Sequence, residues 1–117
     1  LLVHGWESNA SRWENLIAHL KKSGSTIIAI DAPAHGLSSG KEFSIPQYAE
    51  FINKTVETHQ PQYIIGHSIG GKTCLYYHYA YPSDSVKKMV ILGAPCDFKI
   101  IISNFFGQLV EIIKLYK

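Results

Sequence analysis

The sequence has no strong charge of either sign, no cysteine framework, no internal repeat and no apolar run of membrane-spanning length. Lys+Arg 11 against Asp+Glu 9 leaves a formal charge of +2, too weak a field to make nucleic acid or another polyanion the natural partner. The two cysteines, Cys74 and Cys96, form neither a CxxC pair nor a Cys/His ligand spacing, which argues against a disulfide scaffold and a structural zinc. Both read as small buried hydrophobes. No apolar run approaches the ~20 residues needed to cross a bilayer, so no membrane span is expected and the expected location is cytoplasmic. An initiator Met is missing too: the chain opens on Leu1 inside a strand-like run and stops at Lys117 inside a helical pattern, which suggests a fragment. What is present is ordinary for a globular core: 46% hydrophobic residues in 117, enough for about one domain.

Short apolar runs alternate with helical patterns, the mark of an α/β protein with a parallel sheet. The runs are Leu1 to Val3, Thr26 to Ile30, Tyr63 to Ile65 and Lys88 to Leu92, read as four buried strands. Between the first two, Trp13, Leu16, Ile17 and Leu20 repeat at helical spacing, with Ser11 and Glu14 in capping-box positions and Gly24 as the stop signal. Between the second and third, Tyr48, Ala49, Phe51, Ile52 and Val56 predict a helix capped by Ser44, with Pro46 in its first turn and an end near His59. A third helix follows the third strand and stops before Pro82. The stretch Ile100 to Leu115 is the most apolar, and Asn104, Gln108, Glu111 and Lys114 interrupt it at roughly helical intervals, which suggests an amphipathic helix packed on protein.

Residues Gly66-His67-Ser68-Ile69-Gly70-Gly71-Lys72-Thr73 satisfy two signatures at once. Gly66 to Gly70 is G-x-S-x-G, a nucleophile elbow, and Gly66 to Thr73 is G-x-x-x-x-G-K-[ST], a phosphate loop. Both need a strand before and a helix after. As an elbow, the turn lifts the Ser68 hydroxyl above the sheet, keeps its neighbours small at Gly66 and Gly70, and aims the Ile69 N–H at a developing oxyanion. As a phosphate loop, it needs a later strand ending in an acid for magnesium. The strand ending in Asp31 lies upstream instead, and the later one runs into Gly93-Ala94-Pro95, which puts the NTPase reading second.

Val3-His4-Gly5-Trp6, Asp31-Ala32-Pro33-Ala34-His35-Gly36-Leu37-Ser38, the elbow itself and Leu92-Gly93-Ala94-Pro95 together resemble the successive signatures of the α/β-hydrolase superfamily. The resemblance implies a partial α/β-hydrolase core over residues 1–97, its strands being the family's third to sixth in the order 4-3-5-6, and the beginning of a helical lid or cap over 98–117. Ligands would then sit at the switch point between the first and third strands, beyond their carboxyl ends. The resemblance further implies that the N–H of Trp6 is the second oxyanion donor, beside that of Ile69, and that Asp97 stands where some members carry the catalytic acid. Ala34 departs from the family's usual Gly and suggests a locally altered backbone.

The expected chemistry is that of a serine hydrolase cleaving an ester, thioester or related acyl bond through an acyl-enzyme on Ser68, with a small, apolar acyl substrate and neither metal nor organic cofactor. In this fold the catalytic His follows the nucleophile, and of the six histidines only His78 does, on the helix leading away from Ser68. His4 and His35 belong to loop motifs, where bonds to backbone are their expected role. The base and acid are therefore expected beyond Lys117, and the chain alone is expected to turn over little. A non-catalytic small-molecule-binding protein on the same scaffold is the alternative.

Overall fold

A computed structural model describes residues 1–6, 8–40, 42–93 and the backbone of 109–113. Strand β1 (Leu2–Val3) leads through a short 3-10 turn (Ala10–Trp13) into α1 (Glu14–Lys22), and β2 (Ala29–Ile30) follows. Then come α2 (Ile45–His59), β3 (Tyr63–His67), α3 (Ile69–Ala80), β4 (Lys88–Leu92) and β5 (Leu109–Ile113). All pairs are parallel, in the order β2-β1-β3-β4-β5. The chain steps from β1 outward to β2, then crosses back to place β3 on the other side of β1. That reversal opens a crevice between the carboxyl ends of β1 and β3.

The four strands expected from the apolar runs are all present, in the expected spatial order. Ladder pairing is shorter than the runs at the β1/β2 edge, where only Leu2↔Ala29 and Val3↔Ile30 are in register. The fifth strand corrects the helical reading of Ile100 to Leu115 over Leu109–Ile113, which pairs with β4 from Lys88↔Leu109 to Leu92↔Ile113. Leu-Val-Glu-Ile-Ile is rich in β-branched residues, and a run this short cannot be assigned by periodicity alone. The open edge of β4 supplies the partner that settles it. The remainder of the expected lid over 98–117 lies outside the described residues.

Helix α2 matches its sequence signals closely. Ser44 Oγ accepts from the Gln47 N–H at 3.2 Å, Pro46 sits in the first turn, and the helix ends at Gln60, whose N–H donates to Val56 O at 2.8 Å in the left-handed conformation (φ 47°). It buries Tyr48, Ala49, Ile52, Thr55 and Val56 against α3 and the sheet. The start of α1 differs from expectation. Asn9 Oδ1, not Ser11, caps the turn, accepting from the Ser11 N–H at 2.9 Å, and Ser11 lies inside the 3-10 segment. The core between sheet, α2 and α3 contains Val3, Tyr48, Ile52, Ile64, Leu75, Tyr77 and Ile91, each at most 1% exposed. At about 1.5–3 kcal/mol per large apolar side chain removed from water, this layer holds the crevice-forming strands in place.

Candidate active site

Strand β3 ends at His67 and α3 begins at Ile69, so one residue, Ser68, makes the whole turn. Its backbone sits at φ 55°, ψ −125°, a region L-residues rarely enter and one that costs on the order of 1–3 kcal/mol unless the surroundings enforce it. Two bonds do so. The Ser68 N–H donates to Leu92 O on β4 at 2.8 Å, and the Ser68 carbonyl accepts from Lys72 N–H at 3.1 Å, starting α3. Space does the rest. A Cβ on Gly70 would run into the His4 and Val3 carbonyls, and one on Gly66 would lie 2.8 Å from Cys74 Sγ and 2.9 Å from Gly71 Cα. Helix α3 can therefore leave the sheet at this angle only with glycine at both positions. A one-residue turn also has no run of backbone N–H groups to wrap a phosphate, and Lys72 already lies in the first turn of α3, so the phosphate-loop geometry is not formed.

The loop after β1 closes against this turn. A Cβ on Gly5 would stand 3.0 Å from Ser68 Cβ and 3.1 Å from His67 O, so the backbone leading into Trp6 passes directly beside the serine. The N–H groups of Trp6 and Ile69 have no acceptor among the described residues. His4, fully buried, fixes the loop. Its Nε2 accepts from the Ala32 N–H at 2.8 Å, so Nδ1 carries the proton and donates to Gly5 O at 2.7 Å. Tyr48 Oη donates to His4 O at 3.0 Å, joining the loop to α2. Burial holds the imidazole below its ordinary pKa and pushes the Tyr48 phenol well above its own.

Asp31 organises the third loop. Its carboxylate accepts from the N–H of Ala10 at 2.7 Å and of Leu37 at 2.9 Å, and its carbonyl accepts from Ser38 Oγ at 2.6 Å. The Leu37 and then the Ala10 hydrogen bonds draw its pKa down, so it stays ionised as a structural tie. Gly36 (φ 53°) packs so tightly on this carboxylate that no Cβ fits. Ala34 has a left-handed backbone at φ 62°. Alanine simply occupies a glycine conformation, and His35 Nδ1 beside it donates to Pro33 O at 3.0 Å.

The hydrogen bonds of His4, His35 and His67 run to groups other than the Ser68 hydroxyl. His4 and His35 are engaged as above. His78 is buried on α3, with burial lowering its pKa. His67 points across the strand ends: Arg12 Nη2 donates to its Nε2 at 3.0 Å, while Nδ1 is buried without a partner. Burial, then the adjacent guanidinium, lowers the pKa of His67. Arg12 is the residue that sequence reading missed, because the contact joins positions 55 apart and leaves no local signal. Above the loops, Trp6, His35 and Phe43 meet edge to face, with centroids 5.2–5.3 Å apart and Trp6 56% exposed. Cys74 is buried behind Gly66, and burial pushes its thiol up to about 12. Asp97 and Cys96 lie outside the described residues. Among the described residues no cluster of His, Cys, Asp or Glu could hold a metal ion, and no helix is long and apolar enough to cross a membrane.

Residues 1–110 match the family described as alpha/beta hydrolase fold. The chain is 35% identical to a serine hydrolase-like protein of Danio rerio, covering 79% of this chain and 29% of that one. It is 32% identical to a bifunctional esterase/perhydrolase of Acinetobacter calcoaceticus, over 78% and 34% of the two chains. The crystal structure of a monoacylglycerol lipase from Paleococcus ferrophilus superposes with a TM-score of 0.72 at 31% identity, covering 80% of this chain and 37% of that one. The chain thus spans about a third of the length of these relatives.

Proposed function

The chain belongs to the α/β-hydrolase fold family, and on that premise we propose that it carries the nucleophile and the oxyanion donors of a serine hydrolase acting on an ester, thioester or related acyl bond. The strained one-residue turn at Ser68, with the Gly5-Trp6 backbone laid against it, carries this reading. Ser68 Oγ attacks the acyl carbonyl as a general base takes its proton. The N–H groups of Ile69, at the positive end of α3, and of Trp6 stabilise the oxyanion. The tetrahedral adduct collapses, the alcohol or thiol leaves with the proton, and water then attacks the acyl-Ser68 ester to release the acid and regenerate the hydroxyl. The reading takes base and acid from elsewhere in the natural polypeptide, supported by the engagement of His4, His35 and His67 Nε2 in other hydrogen bonds. The exposed Trp6 ring, backed by the half-buried Phe43, gives the acyl group an apolar wall.

The experiment is labelling of the natural polypeptide with a fluorophosphonate probe. Labelling is expected in the wild type and absent in Ser68→Ala. Labelling that survives the substitution overturns Ser68 as nucleophile.

A further inference from the structure

Arg12 is held in place by two contacts of different kinds. Its Nη2 donates to His67 Nε2 at 3.0 Å, and its guanidinium carbon lies 6.0 Å from the centroid of the Trp13 ring, itself 4% exposed. An arginine carries five N–H donors in a planar fork that matches a carboxylate. Only one of Arg12's has an acceptor among the described residues, and no described carboxylate pairs with it. The partner it does have is neutral, since Nε2 of His67 must be unprotonated to accept.

This charge lies beside the proposed reacting centre. His67 immediately precedes Ser68, and its Nδ1 and the Ser68 Cβ stand 3.3 and 3.0 Å from the same point beside Gly5. The guanidinium therefore begins one imidazole width from the oxyanion loop, on the side of Gly93, which follows β4 and where a Cβ would stand 3.7 Å from His67 Nε2. The α3 N-terminus adds positive potential from the same direction.

We propose that Arg12 selects acyl substrates carrying a carboxylate a few carbons from the scissile bond, the carboxylate docking on the guanidinium N–H groups that have no acceptor among the described residues while Ser68 attacks. This rests on the reading of Ser68 as nucleophile. Ordering of Arg12 by His67 and Trp13 before substrate arrives reduces the entropy lost on binding, which gives an exposed arginine more selectivity than an untethered one. Arg12 is on this account a specificity residue and takes no part in bond making.

The test compares matched esters on the natural polypeptide: the p-nitrophenyl half-ester of glutarate against p-nitrophenyl valerate, and the valerate ester of 4-hydroxybenzoate against phenyl valerate. The first pair places the carboxylate on the acyl side, the second on the alcohol side. At least one charged ester is expected to show the higher kcat/KM, by about tenfold, as for a charge-assisted hydrogen bond. That preference should collapse in Arg12→Gln, recover in part in Arg12→Lys, and shrink as salt is raised. No preference for either charged ester, or a preference unchanged in Arg12→Gln, overturns the proposal while Ser68-dependent hydrolysis of the neutral esters leaves the hydrolase reading intact. Absence of any Ser68-dependent hydrolysis, together with absence of fluorophosphonate labelling, overturns both.

Discussion

Acidification should destabilise the protein through His4, and the size of the effect follows from its two hydrogen bonds. Nε2 accepts from Ala32 N–H and Nδ1 donates to Gly5 O, both in a site with no solvent exposure. A second proton on Nε2 would face an N–H donor and bury an unpaired charge, so the folded pKa lies below the ordinary value of 6.5. In the unfolded chain the same imidazole protonates freely at about pH 6.5. The unfolded state then binds more protons, and stability falls as pH drops below 6.5, until the folded pKa is reached. For a histidine that stays neutral when folded, the loss between pH 7.5 and 5.5 is about 1.4 kcal/mol. His67 and His78 are shifted in the same direction, so each adds to the loss on acidification. Urea unfolding at the two pH values measures this. In His4→Gln the loss on acidification should shrink by about 1.4 kcal/mol, because the site no longer titrates. Tyr48→Phe, which deletes only the hydrogen bond to His4 O, should lower stability by about 1 kcal/mol at both pH values and leave the difference between them unchanged. An acid loss of equal size in wild type and His4→Gln would refute the assignment of His4 as a neutral buried staple.

Gly70→Ala places a methyl against the His4 and Val3 carbonyls; it should cost about 3 kcal/mol in denaturant unfolding and abolish fluorophosphonate labelling, and normal labelling would contradict the packing described. Ala34→Gly relieves a left-handed alanine at φ 62° and should raise stability by about 0.5–1 kcal/mol, read as a shift of the urea midpoint at constant m. Cys74, buried and shifted to about 12, should resist a thiol reagent at pH 8 in a Cys96→Ser background and react only on unfolding; fast native reaction would show that α3 does not seal it.

The parts of the fold that could be read from sequence are those whose causes are local. Helix α2 announces itself through Ser44, Pro46 and a stripe from Tyr48 to Val56, and its ends fall where those residues put them. The strand-to-helix turn at Ser68 was legible because glycines at 66 and 70 and a serine between them are what a one-residue turn of this kind requires. Features decided at a distance were not. Leu109–Ile113 is strand because β4 offers an edge, a fact absent from its own five residues. Asn9 outcompetes Ser11 as cap because Asp31, 21 positions later, binds the Ala10 N–H and fixes where the turn begins. Ala34 holds a left-handed backbone that its own residue type does not announce, and its N–H donates to Ser39 O, five positions on, at 3.2 Å. Arg12 gave no sign of its place beside His67.

Asp31, His4 and Tyr48 link three loops and a helix that are remote in sequence, and this has a consequence for motion. To expose the Ala32 amide, the His4 ring must let go; to free the Ala10 and Leu37 amides, the Asp31 carboxylate must leave both at once. These protons cannot open one by one as in an ordinary surface loop. They form one cooperative unit, and in native-state hydrogen exchange the amides of Ala10, Ala32 and Leu37 should share a single opening free energy, well above that of the exposed chain around Gly24. The rim of the crevice then behaves as a rigid frame, and whatever mobility substrate entry needs must come from segments that this frame does not include.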